Sequence, residues 1–339
     1  MTVSVIVPTF HRPDQLQETV ASVLEQELPA SEQLEVIVCV SDPGAAGDVQ
    51  AAEALAAKDP RVRMVRAPRP GPAAARNAGI LASQGWAIAF IDDDCRARAG
   101  WLKAGLRALA DADLVQGATV PAGPVPLWHH TLNVEPPSWL WETCNLIVRR
   151  QIVETVGGFD EDWNPTGRAG GHFGEDVIWG WRLVAAGARA GFAPDSIVEH
   201  RVEPRDQRGH LAYSAKLQYF PLLFRSTPEA RRHFYLGYFV NRRHLMLTIC
   251  AGLLAGAGVA AAAGRRPVAF TLLGAAGAAY LSPLRGRLQQ ALLAGISARG
   301  GVAQALLAGL QEMHRRAPYE SVEFGSALYG SIRWRRLLL

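Results

Sequence analysis

An alternation of buried-strand and helix signals runs through the N-terminal part of this chain. Residues 3–8 (VSVIVP), 34–40 (LEVIVCV), 62–66 and 87–91 (AIAFI) are short runs dense in apolar and β-branched side chains. Runs of that length without polar alternation read as strands buried on both faces. Between them lie segments of helical period: 14–26, with Leu16, Val20, Val23 and Leu24 along one side, then 49–57 and 73–83. Asp42-Pro43-Gly44 supplies the stop after the second strand. Such a succession predicts an α/β fold with a doubly wound, mostly parallel sheet.

Beyond Cys95 the alternation loosens. Residues 101–109, 150–156 and 176–186 have helical spacing, whereas 114–120, 145–148 and 193–199 read as strands. Residues 121–141, rich in proline and tryptophan, are expected to form a long loop. At 339 residues the chain holds one large domain or two ordinary ones, and its 49% hydrophobic content excludes a disordered chain. Its cysteines, Cys39, Cys95, Cys144 and Cys250, form no C-x-x-C pair, so reduced buried thiols are expected rather than zinc or redox chemistry. The N-terminus enters an apolar strand directly, and no secretory signal is expected.

Charge divides the chain. From Arg201 onward there are 19 basic and 6 acidic residues, against 16 and 25 before it. An acidic catalytic part and a basic part facing phosphate-rich material fit that division. Residues 245–263 and 267–284 carry no charge and are bracketed by Arg242-Arg243, Arg265-Arg266 and Arg285. They read as an apolar helical hairpin in or on a membrane, with a packed, alanine-rich soluble hairpin as the alternative. Residues 213–239 mix aromatics with arginines, which suits a headgroup boundary or ordinary core packing. The basic segment carries no recognised nucleic-acid motif, so no nucleic-acid partner is expected.

Asp92-Asp93-Asp94 follows the fourth apolar run directly. Three carboxylates at the carboxyl end of a buried strand repel one another unless a cation binds, and a divalent ion bridging to a diphosphate meets that need. A solvated acidic turn is the plainer alternative. Glu175-Asp176 opens a helix, where acids cap the terminus or, functionally, remove a proton from an attacking hydroxyl. Gly170, Gly171 and Gly174 before it suggest a mobile or closely approached loop. His200 ends an apolar run and is a candidate to complete an oxygen-rich metal site. Arg76-Asn77 lies just inside a helix start, which suits a phosphate or a base, with a surface arginine as the alternative, and Pro8-Thr9 ends the first strand, where it lines the same crevice or forms a simple turn.

These stretches together resemble the family 2 glycosyltransferases, with their GT-A fold. The resemblance is carried by residues 5–9 (VIVPT), Arg76-Asn77-Ala78-Gly79, Asp92-Asp93-Asp94, Thr143-Cys144-Asn145, Gly157-Gly158-Phe159-Asp160-Glu161, Gly174-Glu175-Asp176 and His200, and it covers residues 1–203. It implies an inverting transfer from a nucleotide-diphosphate sugar. By that resemblance Pro8, Thr9, Arg76, Asp92 and Asp93 lie against the nucleotide. Asp94, with Asp92 and His200, holds Mn2+ or Mg2+. Asp176 is the general base, with Glu175 beside it.

Two positions depart from the family pattern. Asp42 falls one residue after the usual acidic end of the second strand, and is carried as a nucleotide contact. Ile178 stands where an acid often follows the catalytic pair. Trp179, Trp141 and Asn145 are carried as acceptor contacts, and Trp181 as core.

The expected organisation is a catalytic domain over 1–203, an amphipathic interfacial region over 204–244, the apolar hairpin over 245–284 and a basic helical tail over 285–339. The expected activity is metal-dependent transfer from a UDP-sugar or similar donor to a cell-envelope or lipid-linked hydroxyl at the cytoplasmic face of a membrane. A metal-dependent nucleotidyltransferase and a non-catalytic nucleotide-sugar-binding membrane protein are the competing readings.

Overall fold

The computed structural model describes residues 1–42, 44–136, 139–167, 172–281 and 321–335. The chain forms two compact units, Met1–Asp206 and Gln207–Leu339. The first begins with β1 (Thr2–Thr9), α1 (Pro13–Leu24), β2 (Gln33–Val40), α2 (Ala46–Lys58), β3 (Val62–Arg66), α3 (Pro72–Ala82) and β4 (Ala87–Phe90). These strands lie in the order β3-β2-β1-β4, and every pair is parallel. Val3, Val5, Ile6 and Val7 of β1 have no exposed surface, and neither do Val36, Ile37, Val38, Cys39 and Val40 of β2. Successive strand residues point to opposite faces, so burial of a whole run means that both faces are covered.

The rest of the sheet adds antiparallel pairs to that parallel part. It comprises β5 (Cys95–Ala97), α4 (Trp101–Ala108), β6 (Leu114–Pro121), β7 (Leu146–Arg149), α5 (Arg150–Val156), α6 (Glu175–Ala185) and β8 (Ala190–His200). β7 runs antiparallel to β4 and β6, β5 runs antiparallel to β8, and β6 and β8 are parallel. The eight-stranded sheet, order β3-β2-β1-β4-β7-β6-β8-β5, is therefore mixed. The chain leaves β6 and comes back as its neighbour β7 without a crossover helix, and such a return gives an antiparallel pair. Cys95 of β5 faces His200 of β8, a register that sets His200 beside the acids preceding Cys95.

The second unit is helical among its described residues. It contains α7 (Gln207–Ser214), α8 (Phe220–Ser226), α9 (Arg242–Ala262) and α10 (Arg266–Leu281), with 3-10 turns at Ala215–Tyr219 and Pro228–His233. α9 and α10 pack as a hairpin, and the Arg243 guanidinium at its open end donates to the Tyr280 carbonyl oxygen at 2.6 Å. Leu254, Val259, Val268, Phe270 and Leu273 of the hairpin stay exposed. Among the described residues, α9 is the one helix long and apolar enough to cross a membrane. Residues 282–284 of the second apolar run, and 285–320 and 336–339 of the basic tail, lie outside the described residues, whereas 321–333 are helical.

Candidate active site

The carboxyl ends of β1, β2 and β4 converge on a cavity of about 560 Å³. Pro8, Thr9, Asp42, Arg76, Asp92 and Asp93 all line it. Six residues taken from separate sequence motifs thus share one crevice. Its far wall is the start of α3. Gly71 has φ +132°, and a Cβ there would lie 2.8 Å from His172 Nε2, so the backbone and that imidazole approach in a way a side chain would block. Asp42 lies on the wall of this cavity. Its carboxylate accepts from the Gly44 N–H at 2.9 Å and sits 3.3 Å from His11 Nε2.

Arg76 joins two motifs. Its buried guanidinium donates to Asp92 Oδ1 at 3.1 Å and to Glu175 Oε1 at 3.0 Å, while lying over the Phe159 ring. Burial opposes its charge, but Asp92, Glu175 and Asp176 outweigh burial, and its pKa is raised. A carboxylate from the end of β4 and the acidic pair opening α6 are thereby clamped around one fixed cation. Asp176, half-buried, accepts the Val177 N–H at 2.9 Å. Burial drives its carboxyl well above the usual range; Glu175 and Glu142 push the same way, and Arg76 pulls against them. A raised pKa makes Asp176 a better proton acceptor than a free aspartate.

The other acids face a different cation. Arg12 Nη1 donates to Asp94 Oδ2 at 2.7 Å and Asp93 Oδ1 at 3.1 Å, and its Nη2 donates to Glu203 at 2.5 Å. Asp93 also accepts the Phe10 N–H at 3.0 Å. Burial and then Asp94 raise the Asp93 pKa to about 6, against the pull of Arg12. Asp94 is raised as well, by burial first, with His200 drawing it down and Asp92 pushing it up. His200 Nε2 lies 3.6 Å from Asp94 Oδ1. Its Nδ1 sits 2.8 Å from the Arg201 carbonyl oxygen and 3.2 Å from Thr131 Oγ1. A donor N–H at Nδ1 leaves Nε2 free to face a ligand, the usual way a second partner fixes an imidazole.

Ligand atoms of Asp94, Cys95 and His200 lie within 4.8 Å of one another, a spacing that fits a single ion. Burial pushes the Cys95 thiol well up, so it stays protonated and is a poor donor to a hard ion. A carboxylate and an imidazole, with phosphate oxygens to complete the shell, suit Mn2+ or Mg2+. Asp92 is not in this group. Its carboxylate turns to Arg76 instead.

Two acceptor assignments are corrected. Trp179 has no exposed surface, being stacked on Phe159 at 4.1 Å with its Nε1 donating to the Gly157 carbonyl oxygen. Asn145 is equally buried and accepts from Trp101 Nε1 at 2.8 Å while donating to the carbonyls of Ala118 and Ser196. Both side chains hold the core together. Trp141 differs. Its φ is +55°, its ring packs on Gly180 of α6, and its buried Nε1 has no hydrogen-bond partner among the described residues. Trp181 is core, as read from its spacing. Gly170 and Gly171 lie outside the described residues.

Sequence reading missed Arg12, Glu142, His172 and Glu203. Only Arg12 left a signal, as a cation a few residues beyond Pro8-Thr9.

The Glycosyl transferase family 2 model matches residues 4–158. The glycosyltransferase AglE of Haloferax volcanii is 31% identical over 215 residues, covering 60% of this chain and 67% of that protein. This chain belongs to glycosyl transferase family 2. The pre-mycofactocin glycosyltransferase of Mycobacterium tuberculosis is 34% identical over 157 residues, which cover 40% of this chain and only 32% of that longer protein. Among solved structures, a mannosyltransferase from Pyrobaculum calidifontis superposes with a TM-score of 0.58 at 20% identity, covering 98% of this family 2 glycosyltransferase and 86% of its own chain. At that identity the likeness speaks for the fold alone.

Proposed function

We propose that this family 2 glycosyltransferase moves a sugar, with inversion, from a nucleotide-diphosphate donor to a hydroxyl of a cell-envelope or lipid-linked acceptor. The observation that carries the proposal is the Asp92–Arg76–Glu175 ion-pair chain, which couples the nucleotide crevice to the acidic pair on α6. Pro8, Thr9 and Asp42 embrace the nucleoside. Asp92 and Asp93 border the diphosphate. Arg76 offsets charge that grows on the leaving diphosphate. Asp176 takes the proton of the acceptor hydroxyl as its oxygen bonds to the anomeric carbon and the nucleoside diphosphate departs. Glu175 keeps Arg76 in place between the two reactants, and Trp141 borders the acceptor.

Asp94 and His200 would hold a divalent ion, which when bound supplies positive charge to the diphosphate. The Pyrobaculum mannosyltransferase is described with GDP-mannose and Mn2+, which supports this reading. A UDP-sugar is the expected donor and a GDP-sugar the alternative. Residues 1–203 form the catalytic domain of the proposal. Residues 204–244 lie at the bilayer interface, 245–284 form the apolar hairpin, and 285–339 are the basic tail. Catalysis takes place at the cytoplasmic face of the membrane.

The test is a screen of nucleotide sugars with Mn2+ or Mg2+, with and without a membrane lipid extract, measuring the nucleotide released. Lipid-stimulated release of nucleoside diphosphate is expected. Release of pyrophosphate would instead make the chain a nucleotidyltransferase, and donor binding without turnover would leave a non-catalytic binding protein.

A further inference from the structure

Between the 3-10 turn Pro228–His233 and α9, the chain makes a tight reversal. Tyr235 and Phe239 form a two-way bridge, Tyr235 N–H to Phe239 O at 2.9 Å and Phe239 N–H to Tyr235 O at 3.0 Å. Gly237 N–H closes the turn on the Phe234 carbonyl at 3.0 Å. The base of the reversal is anchored: Phe234 is buried, with its ring edge-on to Phe224 at 4.4 Å. The tip is the opposite. Tyr235, Leu236 and Tyr238 are 40%, 66% and 45% exposed. Leu236 moreover has φ +55°, a left-handed conformation that a bulky apolar residue adopts rarely and at a cost. The fold thus holds a leucine outward, on a strained backbone, between two tyrosines.

The chain on both sides of this tip is basic. Arg225, Arg231, Arg232, Arg242 and Arg243 fall within residues 225–243, against the single acid Glu229. Arg225, Arg232 and Arg242 are exposed. The Arg231 guanidinium lies 5.5 Å over the Tyr238 ring, bringing a cation to the aromatic face. Directly after the tip begins α9, with its apolar surface exposed. Tyrosines around an apolar point, in an arginine-rich stretch of chain that runs on into an apolar helix, match the composition of a bilayer interface: acyl chains, then aromatic belt, then phosphates.

We propose that the turn at residues 235–238 is an interfacial anchor. It seats Leu236, Tyr235 and Tyr238 at the headgroup–acyl boundary of an anionic phospholipid bilayer, with Arg225, Arg232 and Arg242 against lipid phosphates. The inference rests on the proposed membrane association and adds to it a particular contact and a lipid charge. Its role is to fix the second unit at a set depth, separately from the hairpin.

The full-length chain carrying Leu236→Cys in a Cys250→Ser background, labelled with a polarity-sensitive fluorophore, tests this directly. Cys39, Cys95 and Cys144 are buried and stay unlabelled. With vesicles containing anionic lipid, the probe at 236 is expected to shift to an apolar emission and to be quenched by headgroup-proximal quenchers. A probe at exposed Leu81 serves as the control and should not respond. Adding Arg225→Ala and Arg232→Ala should weaken binding to anionic vesicles roughly thirtyfold while leaving zwitterionic vesicles nearly unaffected. If the chain floats with vesicles but the probe at 236 stays water-like, the anchor is refuted and the membrane reading survives. An equal response to zwitterionic lipid refutes the charge requirement. An apolar shift without vesicles marks a protein contact instead, and a chain that never floats overturns both readings.

Discussion

Replacing Arg76 with methionine keeps the aliphatic bulk and removes the guanidinium shared by Asp92 and Glu175. Breaking a buried ion pair from one side costs about 3–5 kcal/mol, because the charges left behind stay desolvated. Asp92 is 27% exposed and regains some water, so the lower end, about 3 kcal/mol near pH 8, is the better figure. For a unit of this size that corresponds to a fall of roughly 6–12 °C in melting temperature. The sign of the pH dependence follows from Asp176. Its folded pKa already lies above the ordinary 3.8, and loss of Arg76 raises it further. The folded state then binds more protons than the unfolded one, so stability falls as pH rises from about 3.8 through the folded value. The Arg76→Met deficit should therefore be small near pH 5 and grow toward pH 8. Thermal unfolding of parent and variant, followed by near-ultraviolet circular dichroism across that range without divalent ions, measures it. A deficit that is independent of pH, or larger in acid, would falsify the claim that Arg76 compensates these carboxylates.

Other perturbations separate the parts of the site. Asp94→Ala should weaken Mn2+ binding by ~100-fold or more, read by electron paramagnetic resonance of the free ion. Asp176→Asn should leave nucleoside diphosphate affinity near that of the parent and lower transfer by roughly 10²–10⁴-fold; titration calorimetry beside a transfer assay distinguishes the two effects. Glu142→Gln removes a carboxylate that pushes Asp176 upward, so the acid limb of the pH–rate profile should move to lower pH. In Gly180→Ala the new Cβ falls 2.3 Å from Trp141 Cγ. Overpacking of about 1–3 kcal/mol outweighs the gain in helix propensity, and acceptor KM should rise while donor KM stays constant.

The parallel half of the sheet was legible because its signal is local. Strands buried on both faces are apolar through their buried stretches, as Val5–Val7 of β1 and Val36–Val40 of β2 are, and the helices between them show their buried side in their spacing. The other half was not. β5 is three residues long and β7 four, too short for any period to appear, and their antiparallel pairing depends on where the chain returns. The acids and Arg76 could be picked out because charge at the end of an apolar strand is costly without a partner. Their division between Arg12 and Arg76 could not, since Arg12 meets Glu203 across 191 residues of sequence. Trp179 was misread for a related reason. Nearly every side of α6 is buried, so spacing alone did not tell a core tryptophan from one facing a ligand.

The β5–β8 register also governs which parts of the enzyme are free to vary. Asp94 and His200 are held together by main-chain pairing, so their separation owes nothing to the length of the stretches looping out between them. The stretch that follows β6 is less free, because the Ala122 N–H donates to the His200 carbonyl oxygen and Thr131 Oγ1 sits 3.2 Å from His200 Nδ1. Elsewhere in the loops the length can change without moving Asp94 against His200, whereas a substitution at Thr131 reaches the imidazole directly.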